Sequence, residues 1–153
     1  VSDGADVCLL MSGEMADQRS MTPLFTLLDY AEVSSAPRDI AVVPGLAIRK
    51  ILEQNDLSLE QVDLVEINEA FAAVVLVSAG AVLGMSRQEM ERKVNVNGSA
   101  IAYGHPIGAS GARLVMTLAY ELRRRGGGLG ICGLCSGLGQ GDAMLISVSK
   151  TGE

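Results

Sequence analysis

Three short segments of this chain carry side chains able to move protons or to donate to a carbonyl oxygen. The only histidine, His105, lies between Gly104 and Pro106, within a stretch that runs from Asn95 to Gly108. Glycine permits backbone turns that other residues resist, and proline fixes its own φ, so the pair sets the imidazole on a rigid loop. Near neutral pH imidazole both accepts and gives a proton. Downstream, Cys135 opens a second glycine-rich turn, Cys135-Ser136-Gly137-Leu138-Gly139-Gln140-Gly141. Upstream stands the tetrad Asn68-Glu69-Ala70-Phe71. A histidine, a thiol and an amide, each on a tight turn, point to acid–base chemistry on a carbonyl compound.

Each residue also has a plainer reading. A lone histidine in an arbitrary chain is more often a satisfied buried side chain than a catalyst, and the Gly-His-Pro setting moves the balance towards catalysis. A thiolate at Cys135 can serve as nucleophile or base. The same residue can equally be the end of an apolar strand followed by an ordinary hairpin turn, and the sequence leaves both open. The Asn68 amide can donate to a carbonyl oxygen or hold a water that does so. It would also serve well as the N-cap of the helix that follows. The Gly108-Ala109-Ser110-Gly111 start of a long helix is read as close packing with Ser110 as cap, although helix N-termini attract anions. Arg113 is placed to orient the histidine loop.

The elements that must position these residues alternate between strands and helices. Val7–Met11 reads as a buried, continuously apolar strand, with Cys8 as a core thiol. Glu14–Arg19 is a short helix and Phe25–Val33 a strand. Pro44 opens a helix over Ala47–Asn55, with Leu46, Ile48, Ile51 and Leu52 on one face. Ser58 caps a turn before the strand Leu64–Ile67. A nearly all-apolar helix, Ala70–Leu83, is expected to be buried on all sides. Ser86–Lys93 is a polar helix. A helix from about Ala109 to Arg125 ends at Gly126-Gly127-Gly128. Leu129–Leu134 and Ala143–Val148 are strands that form an antiparallel hairpin. The pattern predicts an α/β domain with a mixed five-stranded sheet and helices on both faces. Residues 1–150 form that domain, and 151–153 a frayed tail.

Composition narrows the function classes. The chain has 153 residues, of which 48% are hydrophobic, with no Trp, two Phe and three Tyr, so its core is aliphatic. A net charge of −6, and no basic cluster larger than Arg123-Arg124-Arg125, argue against nucleic acid as a partner. The longest apolar run, Ala72 to Leu83, is too short to span a bilayer. Three cysteines without a secretory signal fit reduced thiols in a cytoplasmic setting. The C-x-x-C of Cys132 and Cys135 is read as coincidence, because a zinc site needs two more ligands and no metal is expected. The first residue is Val1 rather than Met, which suggests that numbering starts inside a longer polypeptide or that residues were removed. A removed portion could have carried an organelle-targeting segment.

Taken together, Asn68 to Phe71, Asn95 to Gly111 with Arg113, and Cys135 to Gly141 resemble the thiolase family, the acyl-CoA:acetyl-CoA C-acyltransferases. Val1 to Asp6 is also similar to the segment that precedes that family's carboxyl-terminal domain. The resemblance covers nearly the whole chain. It implies a thiolase-like carboxyl-terminal domain and a Claisen condensation or its reverse, as in fatty acid metabolism, with coenzyme A and acyl-CoA as substrates and no covalently bound cofactor. It further implies that His105 activates an acylated cysteine, that Cys135 shuttles the proton of the acetyl α-carbon, that Asn68 holds an oxyanion-hole water, and that the Gly137 N–H serves a second oxyanion hole. The acylated cysteine of the family lies in an amino-terminal half with no counterpart here. The expected partner is therefore that half or a separate subunit, in an oligomer, and this chain alone should not turn over.

Local departures are Ser99 and Leu138, both where the family commonly has glycine, and a tail from Ser147 that does not resemble the usual ending. The alternative is a non-catalytic thiolase-like scaffold or subunit; retention of Asn68, His105 and Cys135 together favours catalysis. A ketoacyl synthase of the same superfamily would need a second histidine. An isolated half would expose an apolar face and self-associate, with Ala70–Leu83 as the candidate surface.

Overall fold

The computed structural model describes residues 2–150. The expected tail at 151–153 lies outside the described residues, as does Val1. Four strands form one mixed sheet: β1 (Thr26–Ser34), β2 (Leu64–Ile67), β3 (Gly128–Ser136) and β4 (Gln140–Val148), in the order β1-β4-β3-β2. β2 runs parallel to β3, β3 and β4 form the antiparallel hairpin, and β1 pairs antiparallel with β4. Beyond β2, Val94 adds a single parallel bridge to Val65.

Side chains alternate across the pleat, so β2, β3 and β4 each feed two cores. Val65, Ile67, Ile131, Ala143 and Leu145 face one side, where they meet Ala47, Ile48, Ile51 and Leu52 of α2 (Val43–Gln54). Leu64, Cys132, Ile146 and Val148 face the other, where they meet Leu114, Val115, Leu118, Ala119 and Leu122 of α6 (Ser110–Arg124). The i, i+4 spacing of Leu114, Leu118 and Leu122 puts all three on one stripe. Each is fully or nearly fully buried, which contributes roughly 1.5–3 kcal/mol per side chain relative to exposure. The layers are helix, sheet, helix, as the alternation of elements implied.

The shorter helices are α1 (Gly13–Gln18), α3 (Ala72–Val75), α4 (Arg87–Lys93) and α5 (Ala100–Tyr103). α4 begins at a Ser86–Glu89 capping box. The Lys93 ammonium at its end donates to the carbonyls of Leu59, Glu60 and Val62, tying the helix to the turn that leads into β2. Among the described residues no helix is long and apolar enough to cross a membrane.

Three expectations need correction. The sheet has four strands rather than five, because Val7–Met11 is not a strand. Val7 is 89% exposed, and Leu9, Leu10 and Cys8 are exposed with it. Apolar composition makes a strand possible, but a strand needs ladder partners to satisfy its backbone, and this segment pairs with no strand of the sheet among the described residues. Cys8 is accordingly a surface thiol and not a core one. The Ala70–Leu83 helix is not buried on all sides. It starts at Ala72, turns π-helical over Leu76–Val82, and buries only Val74, Ser78 and Ala79, while Phe71 and Leu76 stay about 60% exposed. The Ser78 hydroxyl explains the buried stripe: it donates to the Ala41 carbonyl at 2.8 Å and accepts the Gly45 N–H at 3.1 Å, docking this helix on the start of α2.

Candidate active site

The proposed site residues gather at the carboxyl end of the parallel pair β2 and β3. Asn68 follows β2 and remains in register, its N–H donating to the Gly133 carbonyl at 2.9 Å. It is fully buried. Phe71, and not Asn68, is the residue that precedes α3, so the capping role that the sequence left open is not the one it plays. Cys135 stands on the neighbouring strand, two residues past Gly133 and paired with Gly141 of β4.

His105 reaches this edge on the loop between α5 and α6. α5 ends at Gly104, whose φ of 93° lies in the left-handed region, and a Cβ there would collide with the Ser2 side chain. Both facts demand glycine. The Gly104 carbonyl accepts Arg113 Nη1 at 2.7 Å, and the guanidinium lies 5.8 Å over the Tyr103 ring. Arg113 therefore holds the loop, as its spacing from His105 suggested.

Three hydrogen bonds set the state of the imidazole. Ser110 Oγ donates its single proton to the Pro106 carbonyl at 3.1 Å, so towards His105 Nδ1, at 2.7 Å, it can only accept. Nδ1 then carries the hydrogen and Nε2 the lone pair. Nε2 faces Asn68 Nδ2 at 3.3 Å, which donates to it. The orientation of the amide follows from that chain of roles, and it leaves Asn68 Oδ1 buried without a hydrogen-bond partner among the described residues. Ser110 is fully buried and is the first residue of α6, not its cap. The sequence reading missed its role; the only signal was its five-residue distance from His105.

The cysteine turn is more open. No hydrogen bond joins Cys135 to Asn68 or His105 among the described residues. Its thiol is half-buried, and burial pushes its pKa above the ordinary value, which favours the protonated form. Gly137 has no heavy atom near the position a Cβ would take. Leu138 follows it at φ 66° and is 82% exposed. Ser136 Oγ donates to Asp142 Oδ2 at 2.9 Å across the base of the turn. Three residues earlier, Cys132 points to the opposite face. Its burial in the α6 core pushes its pKa up to about 12, so it is inert.

A carboxyl group lies beneath the site. Glu66, two residues before Asn68 on β2, is 3% exposed, and its pKa is raised to about 8, first by burial, then by the nearby Glu69 charge, with Arg113 acting against both. On α6, Glu121 behaves oppositely: hydrogen bonds from Arg124 and Arg125 hold it down at about 2.

The sequence and this mixed-sheet fold match known proteins. The family description "Thiolase, C-terminal domain" fits residues 21–148. The chain belongs to the thiolase family and constitutes its carboxyl-terminal domain. Among curated relatives it is 44% identical to a probable acetyl-CoA acetyltransferase of Mycobacterium leprae, over 95% of this chain and 36% of the relative. It is 42% identical to a beta-ketoadipyl-CoA thiolase of Pseudomonas aeruginosa, with the same coverage. Two crystal structures superpose well. One is an acetyl-CoA acetyltransferase of Bacillus anthracis (TM-score 0.82, 44% identity, 90% of this chain and 34% of that one). The other is the Acat5 thiolase of Ascaris suum in complex with coenzyme A (TM-score 0.81, 39% identity, again 90% and 34%). The chain thus spans about a third of the length of the relatives it matches.

Proposed function

We propose that this chain supplies the carboxyl-terminal half of a thiolase active site and takes part in acyl transfer between coenzyme A thioesters by Claisen condensation and its reverse. The observation that carries the reading is the chain of hydrogen bonds from the Pro106 carbonyl through Ser110 and His105 to Asn68. It fixes the imidazole with Nε2 beside a buried amide; Nε2 acts as general base when a cysteine S–H takes the place of the Asn68 N–H it accepts.

In this reading an amino-terminal half contributes a cysteine. His105 Nε2 takes its proton, and the thiolate attacks the 3-carbonyl carbon of a 3-ketoacyl-CoA. A C–S bond forms and the bond between C2 and C3 breaks. The electron pair moves to C2, giving the enolate of acetyl-CoA. Cys135, kept protonated by its burial, delivers a proton to C2, and acetyl-CoA leaves. The thiol of a second coenzyme A then gives its proton to the Cys135 thiolate and attacks the acyl-cysteine; the C–S bond to the cysteine breaks, the cysteine takes back the proton from His105, and the shortened acyl-CoA is released. The enolate is strongly basic, so preorganised donors must stabilise its oxygen. Asn68 would do so through a water, for which the unpartnered Oδ1 is a ready acceptor. The unobstructed Gly137 backbone would serve the second oxyanion. Coenzyme A is the co-substrate, with no resident cofactor.

The reading makes the chain dependent on a partner. Exposed Val7, Leu9, Leu10, Phe71 and Leu76 supply apolar surface for association with that half and within an oligomer. The test is purification followed by intact-mass and native-mass measurement, then acetoacetyl-CoA cleavage. With an amino-terminal half present, cleavage is expected and should vanish in His105→Ala. The chain alone should give none. Cleavage that persists in His105→Ala overturns the assignment.

A further inference from the structure

Asn68 and His105 belong to different segments, and something must hold them 3.3 Å apart. The single backbone bridge beside β2 is made by Val94, after which Asn95 turns into the left-handed region at φ 47°. Asparagine tolerates that conformation better than most residues. Its own N–H still donates to the Val65 carbonyl at 3.0 Å. Its side chain then does what the departed backbone would have done: Oδ1 accepts the Ile67 N–H at 2.8 Å and Nδ2 donates to the Ile67 carbonyl at 2.8 Å. The second Nδ2 hydrogen goes to Glu69 Oε1 at 3.2 Å, so the amide is fully used. Asn95 therefore grips the residues on both sides of Asn68.

Glu69 extends the grip. Its other oxygen, Oε2, accepts the Ile101 N–H at 2.9 Å at the start of α5, where the Ser99 side chain makes no capping bond. α5 runs directly into Gly104 and His105. One amide and one carboxylate thus link the Asn68 turn to the short helix that delivers the histidine.

We infer that Asn95 and Glu69 are positioning residues that set the Asn68–His105 spacing, acting through the Asn68 turn and through α5. The inference deepens the reading proposed above and concerns the same pair. Its test does not depend on turnover. His105 is the only histidine, so its imidazole resonances in the full chain are unambiguous by long-range proton–nitrogen correlation. Asn68→Ala removes the donor to Nε2 and gives the reference displacement of the Nε2 and Hε1 signals. Asn95→Ala and Glu69→Ala are expected to move both signals in the same direction and at least half as far. Glu69→Gln, which keeps one acceptor oxygen, should move them less than Glu69→Ala. Ser58→Ala removes a capping hydroxyl elsewhere and should leave them in place.

Signals in Asn95→Ala and Glu69→Ala that coincide with the parent chain, while those of Asn68→Ala are displaced, overturn the inference, as does an equal displacement in Ser58→Ala. Should Asn95→Ala fail to fold, Asn95→Asp keeps Oδ1 while turning an oxygen towards Glu69, and the same displacement is required of it. The two readings fail separately. An assembled enzyme without thiolysis removes the functional reading and leaves displaced signals as they are; thiolysis with silent imidazole signals removes only the positioning role.

Discussion

The two sides of the candidate site are built differently. On the histidine side, Asn68, His105 and Ser110 are buried or part-buried and joined by hydrogen bonds, with Asn95, Glu69 and Arg113 bracing the backbone around them. On the cysteine side, Cys135 is half-buried, Gly137 is unobstructed and Leu138 projects into solvent. Yet both sides begin on adjacent strands of one sheet. A base must be held in one tautomer and one orientation before the reaction begins. An acid that meets the α-carbon of a substrate needs room in front of it. Under the function proposed above, the contrast follows from those two tasks.

The sharpest way to break this contrast is kinetic. With the amino-terminal half supplied, His105→Ala is expected to lower acetoacetyl-CoA cleavage by about 10²–10⁴, the range of a positioned general base, and Asn68→Ala by about 10²–10³. Cys135→Ser should fall sharply as well, since a hydroxyl is a far weaker acid than a thiol. Ser110→Ala is the discriminating variant. If the hydrogen-bonded chain sets the tautomer, the rate falls although Ser110 touches no substrate; a rate equal to the parent's means that the imidazole is held by its loop alone.

Next comes the anchor at the back of the cysteine turn. Gly139 has φ 78°, and a Cβ there would lie 2.5 Å from the Ala36 carbonyl oxygen and 2.7 Å from that of Ser35. The Ser35 N–H donates to its carbonyl at 2.8 Å. Gly139→Ala combines backbone strain of about 1–3 kcal/mol with a clash against backbone atoms, and should lower the unfolding free energy, read from urea titration, by at least that strain. The same substitution at Gly137, which meets nothing, should leave stability nearly unchanged. Similar losses at both positions would show that the front of the turn is as constrained as its back.

Glu66 gives the histidine side a pH signature. Its folded-state pKa of about 8 lies above the ordinary glutamate value of 4.5, so the native state binds more protons than the unfolded one between those values. The contribution is fully present below about 4.5 and is lost as pH rises through about 8, with a slope approaching 1.4 kcal/mol per pH unit at most. Glu121, lowered to about 2, has the opposite sign: its contribution is present above 4.5 and is lost as pH falls towards 2. Urea midpoints across this range should therefore decline on the alkaline side in the parent and stay flatter in Glu66→Gln. A parent curve that rises from 4.5 to 8 overturns the buried-acid description of Glu66.

What the sequence disclosed and what it hid divide along a physical line. β2 was legible end to end, because Leu64–Ile67 is a short apolar run bounded by turn residues, and α6 because its leucines repeat every four residues. His105 and Cys135 stood out from the glycines around them, and Asn68 from its place at the end of an apolar strand. Hidden were features whose cause lies far along the chain. Val7–Met11 has strand composition but pairs with no strand of the sheet. α5 exists because Glu69, more than thirty residues earlier, accepts its Ile101 N–H. Ser110 looked like a helix cap until the fold brought His105 Nδ1 to it. Local periodicity reports what a segment prefers, and only the assembled fold reports which partner it finds.

The smallest expected effect tests whether the open turn carries strain of its own. Leu138 holds φ 66° and ψ 26°, a left-handed conformation that disfavours a side chain by about 1–2 kcal/mol. Its exposed side chain returns little burial for it. Leu138→Gly removes that strain and adds about 0.5–1 kcal/mol of backbone entropy loss on folding. The balance is a stabilisation of about 0–1.5 kcal/mol, against the destabilisation that a leucine-to-glycine change brings almost anywhere else in a fold. A higher thermal midpoint in Leu138→Gly would show that the cysteine side is under strain while the histidine side is braced. A lower midpoint would mean that the exposed leucine makes contacts worth more than its backbone strain, and the two sides of the site would then differ less than their geometry suggests.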